Sequence, residues 1–209
     1  MVIFECEGRR TYVEPGQIFD YTLNLNEQGS LERQQGAFRG EQMFSSAILN
    51  VTQARRPIVY MLTGHGERDV EDFGSPAGYS AIVRAMRRDN IEVRSLRLAE
   101  SGQVPADTGV LIIAGPRRRL SQVEVDQIAQ YLNRSGRLLF CVDPRAETGL
   151  EDLLNDWGIR AADETVVGLS LTGEELFVNA YGEHPITRDL SRVTTMFYRP
   201  RRIEVVPGS

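Results

Sequence analysis

The densest group of chemically capable residues in this 209-residue chain is Thr63-Gly64-His65-Gly66-Glu67-Arg68-Asp69. Its two glycines let backbone approach a ligand closely, and an imidazole beside carboxylates can bind a ligand or move a proton. Two other polar groups also follow an apolar run: Gly115-Pro116-Arg117-Arg118-Arg119 and Asp143-Pro144-Arg145. Thr63, Gly64, His65, Gly66, Glu67, Arg117 and Asp143 form the candidate ligand-binding set. A plainer reading stands beside it, because a strand-to-helix connection needs glycine and polar residues simply to turn. The segment is not a dinucleotide fingerprint, since GxGxxG needs a third glycine where Asp69 stands and no helix follows at once to face a phosphate. Arg117 to Arg119 read first as a solvated charge run and second as an anion contact. Asp143 reads as part of a chain stop, or as a ligand facing His65 across a crevice.

Other chemistries are removed by what the chain lacks. All 24 basic residues are arginine, so a Walker A lysine, a pyridoxal Schiff base and a lysine nucleophile are excluded. Neither GxSxG nor GxCxG occurs, which leaves no nucleophile elbow. Cys141 lies in Leu138-Leu139-Phe140-Cys141-Val142 and is expected to be a buried, inert thiol; a dyad with His184 has the least support. His184-Pro185-Ile186-Thr187 reads as a proline-fixed turn in which His184 bonds backbone. Two cysteines and two histidines share no zinc spacing, so no metal, cofactor or catalytic residue is expected, and a Cys6–Cys141 disulfide stays open. Glu174-Glu175 falls in a polar loop and makes no glycosidase pair. A net charge of −5 argues against a broad nucleic-acid surface.

The elements that must position these residues follow from periodicity. Ile58 to Thr63, Gly109 to Ala114 and Arg137 to Val142 are continuous apolar runs expected as buried strands, and Ile91 to Leu96 alternates. Helical spacing marks Glu41 to Gln53, through Met43, Phe44, Ala47, Ile48 and Val51, and also Tyr79 to Arg88. A third helix starts from the Ser121/Glu124 capping box and reaches Asn133, and a shorter one runs from Leu150 to Trp157 with Gly158 as its cap. This alternation predicts an α/β fold: an open, mainly parallel sheet with right-handed crossovers and helices on both faces. In such sheets ligands lie beyond the carboxyl ends of the strands, where the three polar groups fall. Strand-like segments at Val2 to Glu7, Tyr21 to Leu25, Val166-Val167, Leu176 to Val178 and Arg202 to Val206 predict a small β-rich annex. The expected division is an annex at 1–36, an α/β core at 37–165, and a C-terminal β-rich segment at 166–209 packing on the annex. No apolar run approaches the roughly 20 residues that cross a bilayer. Met1 to Glu7 becomes charged too early for a signal peptide, and the abrupt start suits a piece excised from a longer protein.

Several segments have a familiar order. Phe38-Arg39-Gly40-Glu41-Gln42-Met43-Phe44-Ser45-Ser46-Ala47-Ile48-Leu49 precedes Tyr60-Met61-Leu62-Thr63-Gly64-His65-Gly66-Glu67. Leu111-Ile112-Ile113-Ala114-Gly115-Pro116, Ser121 with Glu124, Tyr131-Leu132, Leu138 to Pro144 and His184-Pro185-Ile186-Thr187 then follow. From about Phe4 to Arg202 the chain resembles the auxiliary domain of the gliding-motility-associated family of ABC-type transport systems. That resemblance implies an extracytoplasmic (periplasmic) domain, tethered by flanking membrane helices, working beside ABC permease and ATPase subunits. It also implies a class I glutamine amidotransferase-like, flavodoxin-like fold without the amidotransferase cysteine. Such a domain is expected to act by protein interaction or ligand sensing and not as an enzyme. The alternatives are a small-molecule or carbohydrate-binding domain and, behind it, a divergent amidotransferase-like hydrolase.

Overall fold

The computed structural model describes residues 1–25, 31–53, 56–74, 78–168, 172–190 and 193–206. The chain opens with the antiparallel strands β1 (Val2–Cys6) and β2 (Arg9–Val13), turning through Glu7 and Gly8 in the left-handed region. A four-residue helix, α1 (Pro15–Ile18), leads into a second antiparallel pair, β3 (Phe19–Leu25) with β4 (Leu31–Phe38). Next, α2 (Gly40–Thr52) buries Ala47 and Val51 at the spacing of one helix turn.

The α/β alternation then begins with β5 (Ile58–Leu62), α3 (Ser80–Arg88), β6 (Glu92–Leu96) and the short α4 (Leu98–Ser101). It continues through β7 (Val110–Ala114), α5 (Gln122–Asn133), β8 (Leu138–Cys141) and α6 (Glu151–Asp156). Four of these strands make a parallel sheet in the order β6-β5-β7-β8, flanked by helices. The interior strands owe their place to unbroken apolar runs: Leu111 and Ile113 on β7 are fully buried, as are Met61 and Leu62 on β5 within about 2%. On α5 the capping box forms as the sequence predicts, with Ser121 and Glu124 each satisfying the other's amide. Val125, Ile128 and Leu132 then form its buried stripe.

The strand β8 departs from expectation. Its unbroken apolar run predicts burial, yet Leu139 is half exposed and the Cys141 residue is exposed. The reason is topological: β8 ends the strand order, so among the described strands it has a neighbour on one side only.

The C-terminal strands pair among themselves. β9 (Ile159–Thr165) runs antiparallel to β12 (Arg201–Val205), and β10 (Glu175–Val178) to β11 (Thr195–Tyr198). The expected strand at Val166-Val167 lies earlier in the chain. Gly158, at φ 74°, ends α6 and releases the backbone directly into β9, which stops at Thr165. By contact the chain forms two compact units. One holds Met1–Tyr60, Asp69–Ser95 and Asp107–Gly109; the other holds Met61–Arg68, Leu96–Ala106 and Val110–Ser209. The second unit contains every residue of the site described next.

Candidate functional site

The turn leaving β5 is built around His65. Thr63 fixes its entrance, donating both its amide (2.8 Å) and its hydroxyl (3.2 Å) to the carbonyl of Leu96. Gly64 and Gly66 take φ of 126° and 80°, values that disfavour a side chain, and bend the chain back on itself. This lets the His65 amide donate to Glu67 Oε2 at 2.7 Å while Nδ1 lies 3.1 Å from Glu67 Oε1. On the ring's other side, Nε2 lies 3.2 Å from Glu124 Oε2 in the first turn of α5. The three side chains are only 11%, 2% and 8% exposed. A carboxylate accepts and does not donate, so both ring contacts are hydrogen bonds at once when the imidazole carries two protons.

The same Glu124 oxygen accepts from Ser121, from its amide at 3.0 Å and its hydroxyl at 2.7 Å. Burial alone pushes the Glu124 carboxyl up. The Ser121 hydrogen bonds, followed by the charge of His65, outweigh it, and the net displacement is below the ordinary carboxylate value. The sequence-derived capping box is thus also an anchor for the turn.

The arginine run closes the turn from outside. The amides of Arg117 and Arg118 both donate to the His65 carbonyl, at 2.8 and 2.9 Å, and the Arg118 guanidinium donates to the Gly64 carbonyl at 2.6 Å. A Cβ added at Gly66 would lie 3.2 Å from that of Arg117, a tight contact that together with φ of 80° favours glycine. Asp143 does not pair with His65. Its Oδ2 accepts from Arg68 Nη2 at 3.2 Å, while the Arg68 amide donates to the carbonyl of Ala114. The three polar groups singled out in the sequence are therefore joined: the first to the second through backbone bonds, and the first to the third through Arg68.

Chemically this arrangement is a closed frame. Both imidazole nitrogens face carboxylate oxygens, Nδ1 that of Glu67 and Nε2 that of Glu124, and the Glu124 oxygen is shared with Ser121. What faces solvent is the charged rim of Arg117, Arg118 and Asp143. Among the described residues no group of three or more His, Cys, Asp or Glu is placed to hold a metal ion. The Cys141 thiol is pushed up, first by desolvation and second by the charge of Asp143, which disfavours the thiolate a nucleophile requires. His184, in the loop after β10, accepts the Ile186 amide on Nδ1 at 3.2 Å, the backbone role its turn suggests.

Two features escape sequence reading. Glu124 and Ser121 carry the local signal of a cap, but nothing in the spacing joins Glu124 to a histidine 59 residues away. Arg201 is 4% exposed and directs its guanidinium to the carbonyls of Ala146, Ala161 and Ala162 and to Asp163, locking the β9–β12 ladder to the chain beyond β8. Beside β8 lies an apolar groove of about 440 Å³ lined by residues including Leu138, Phe140, Leu154, Trp157, Ile159 and Ile203.

A family model described as an ABC-type uncharacterized transport system matches residues 56–205. The mmIFT52 N-terminal domain is a similar solved structure, with a TM-score of 0.53 at 18% sequence identity, covering 72% of this chain and 69% of that one. At that identity the likeness concerns the fold alone. No curated protein matches the chain.

Proposed function

The chain belongs to the auxiliary family of an ABC-type uncharacterized transport system, and from that premise we propose that it is a non-enzymatic accessory domain of such a system. In this reading it works outside the cytoplasm, tethered by membrane helices flanking these residues, and contacts permease and ATPase subunits. The proposal extends to the gliding-motility branch of the family and to kinship with glutamine amidotransferase-like folds, which the parallel sheet with its flanking helices supports. It keeps the division into an N-terminal annex at 1–36, an α/β core at 37–165 and a C-terminal segment at 166–209.

One observation carries the non-enzymatic part: the histidine at the strand end is held on both ring nitrogens by buried carboxylates. The groups an enzyme would keep available for a substrate are here used to hold the turn. These 209 residues contain no lysine and so no Walker A motif, which supports placing the ATPase step outside them. Affinity capture of the full-length protein from its own membranes tests the reading. Permease and ATPase subunits identified in the eluate are the expected result, and an eluate free of both would contradict it.

The exposed rim favours ligand sensing as the companion role. We place that site on the outer surface of Thr63, Gly64, Gly66, Arg117 and Asp143, with His65 and Glu67 as its frame; a small polar or carbohydrate ligand suits it. A ligand at 100 times its dissociation constant adds about 2.7 kcal/mol to stability, so a thermal-shift screen of sugars, nucleotides and amino acids reads it directly. A shift that survives Arg117→Ala and Asp143→Ala together would remove this surface from the reading.

A further inference from the structure

The open edge of β8 carries a self-complementary pattern. In the β7–β8 ladder the Leu111 amide donates to the Arg137 carbonyl and the Gly115 amide to the Cys141 carbonyl. Residues 137, 139 and 141 therefore bond to β7, and Leu138, Phe140 and Val142 turn their N–H and C=O groups to the open edge. Side chains alternate the other way. Leu139 and Cys141 share the exposed face, with Arg137 and Asp143, also exposed, just beyond the two ends of the strand, while Leu138, Phe140 and Val142 are half-buried along the apolar groove. An exposed apolar edge strand of this kind is a ready template for another strand.

We infer that this edge pairs antiparallel with the same edge of a second copy of the chain, across a two-fold axis at Phe140. In that register Phe140 faces Phe140, and Leu138 faces Val142 of the second copy. These are the residues with outward backbone groups, so each forms a hydrogen-bonded pair. Between them fall the non-hydrogen-bonded pairs, Leu139 opposite Cys141 and Arg137 opposite Asp143. The two-fold axis repeats the Arg–Asp pair at both ends of the seam. Asp143 is half-exposed and, among the described residues, bonds Arg68 through Oδ2 only, so its second oxygen is open to Arg137.

Neighbouring registers lose this match. Shifting the axis to Cys141 sets Arg137 against Arg145 and Leu139 against Asp143; shifting it to Leu139 sets Arg137 against Cys141 and leaves Asp143 facing Ser135. Only the register centred on Phe140 joins apolar to apolar and opposite charge to opposite charge, and directly opposed charges contribute in proportion to that match. The occupant of the edge is thus a second copy, through the two Arg–Asp pairs and the apolar seam between them.

Sedimentation of the full-length protein over a concentration series gives the first readout, with a dimer expected. Arg137→Asp puts like charges opposite each other twice per dimer and weakens association roughly tenfold. The second readout fixes the register. In a Cys6→Ser background, a Leu139→Cys, Cys141→Ser variant mixed with protein retaining Cys141 forms a mixed disulfide dimer on oxidation. Opposed side chains in such a pair have Cβ atoms about 5 Å apart, within reach of a cross-strand bond. The Cys141-only protein alone forms none, because its cysteine faces Leu139. A chain that stays monomeric at every soluble concentration overturns the proposal and assigns the edge to a different partner. A dimer indifferent to Arg137→Asp and giving no mixed disulfide overturns it equally, by placing the contact elsewhere.

Discussion

The polar turn between Thr63 and Arg68 is closed, whereas the apolar strand β8 is open. In the turn, an imidazole and two carboxyl groups are buried together, and amides of Arg117 and Arg118 complete the enclosure from outside. In β8, Leu139 and Cys141 are exposed residues, and among the described strands a row of backbone groups lacks a neighbour. Polarity alone therefore does not mark the surface that meets other molecules. Polar groups are inert when they satisfy one another, and apolar groups become the reactive surface when topology denies them a partner.

Changes in the turn are expected to cost more than changes at the edge, and the largest follows from Glu67. Glu67→Ala removes the acceptor of both the His65 amide and ring, leaving buried donors unpaired, and is expected to lower stability by about 3 kcal/mol in a denaturant titration. A loss below roughly 1 kcal/mol, the size of an ordinary surface cap, would break the contrast with β8. Ser121→Ala removes one of the bonds that hold Glu124 and should cost about 1 kcal/mol by the same titration.

Acid should loosen the Glu124 anchor of the turn, and with it the Glu151 cap at the start of α6, by a smaller amount. Glu124 and Glu151 both sit below the ordinary carboxylate value. For Glu151 burial raises the carboxyl, but bonds from the Thr148 and Gly149 amides and the Thr148 hydroxyl outweigh it. A depressed folded value means that their contribution is present above the unfolded value and is lost as pH falls through the folded one. The urea midpoint is expected to fall as pH drops through and below the carboxylate range, and to fall less steeply in Glu124→Gln. The smallest change is expected at the edge, where Leu139→Arg should alter the stability of the isolated chain by no more than about 0.5 kcal/mol. A larger loss would mean that Leu139 is packed within one chain and that β8 is not an open edge.

Much of this architecture is legible in the chain. The strands β5 and β7 and the helix α5 stand where apolar runs and the capping box put them, because a buried parallel strand has no polar face to show. Yet Leu138 to Val142 is as wholly apolar as Val110 to Ala114, and the two strands differ in exposure. A run of apolar residues reports a preference for burial; whether a second neighbour exists depends on strand order, which is a property of the whole chain. The site divides in the same way. His65 and Glu67, two residues apart, are visible together, while Glu124 joins them only because β7 and its connection deliver the start of α5 to the β5 turn. Asp143 illustrates the converse. Its place after a strand is readable, but the partner it meets there is Arg68, which sequence reading left outside the candidate set.

Hydrogen exchange on the full-length protein at several concentrations tests the contrast most directly. The amides of His65, Arg117 and Arg118 are expected to be protected at every concentration, because their acceptors lie within one chain. The amides of Leu138, Phe140 and Val142 are expected to exchange freely in dilute protein and to gain protection as concentration rises. Rapid exchange in the turn, or edge amides whose protection does not depend on concentration, would contradict it.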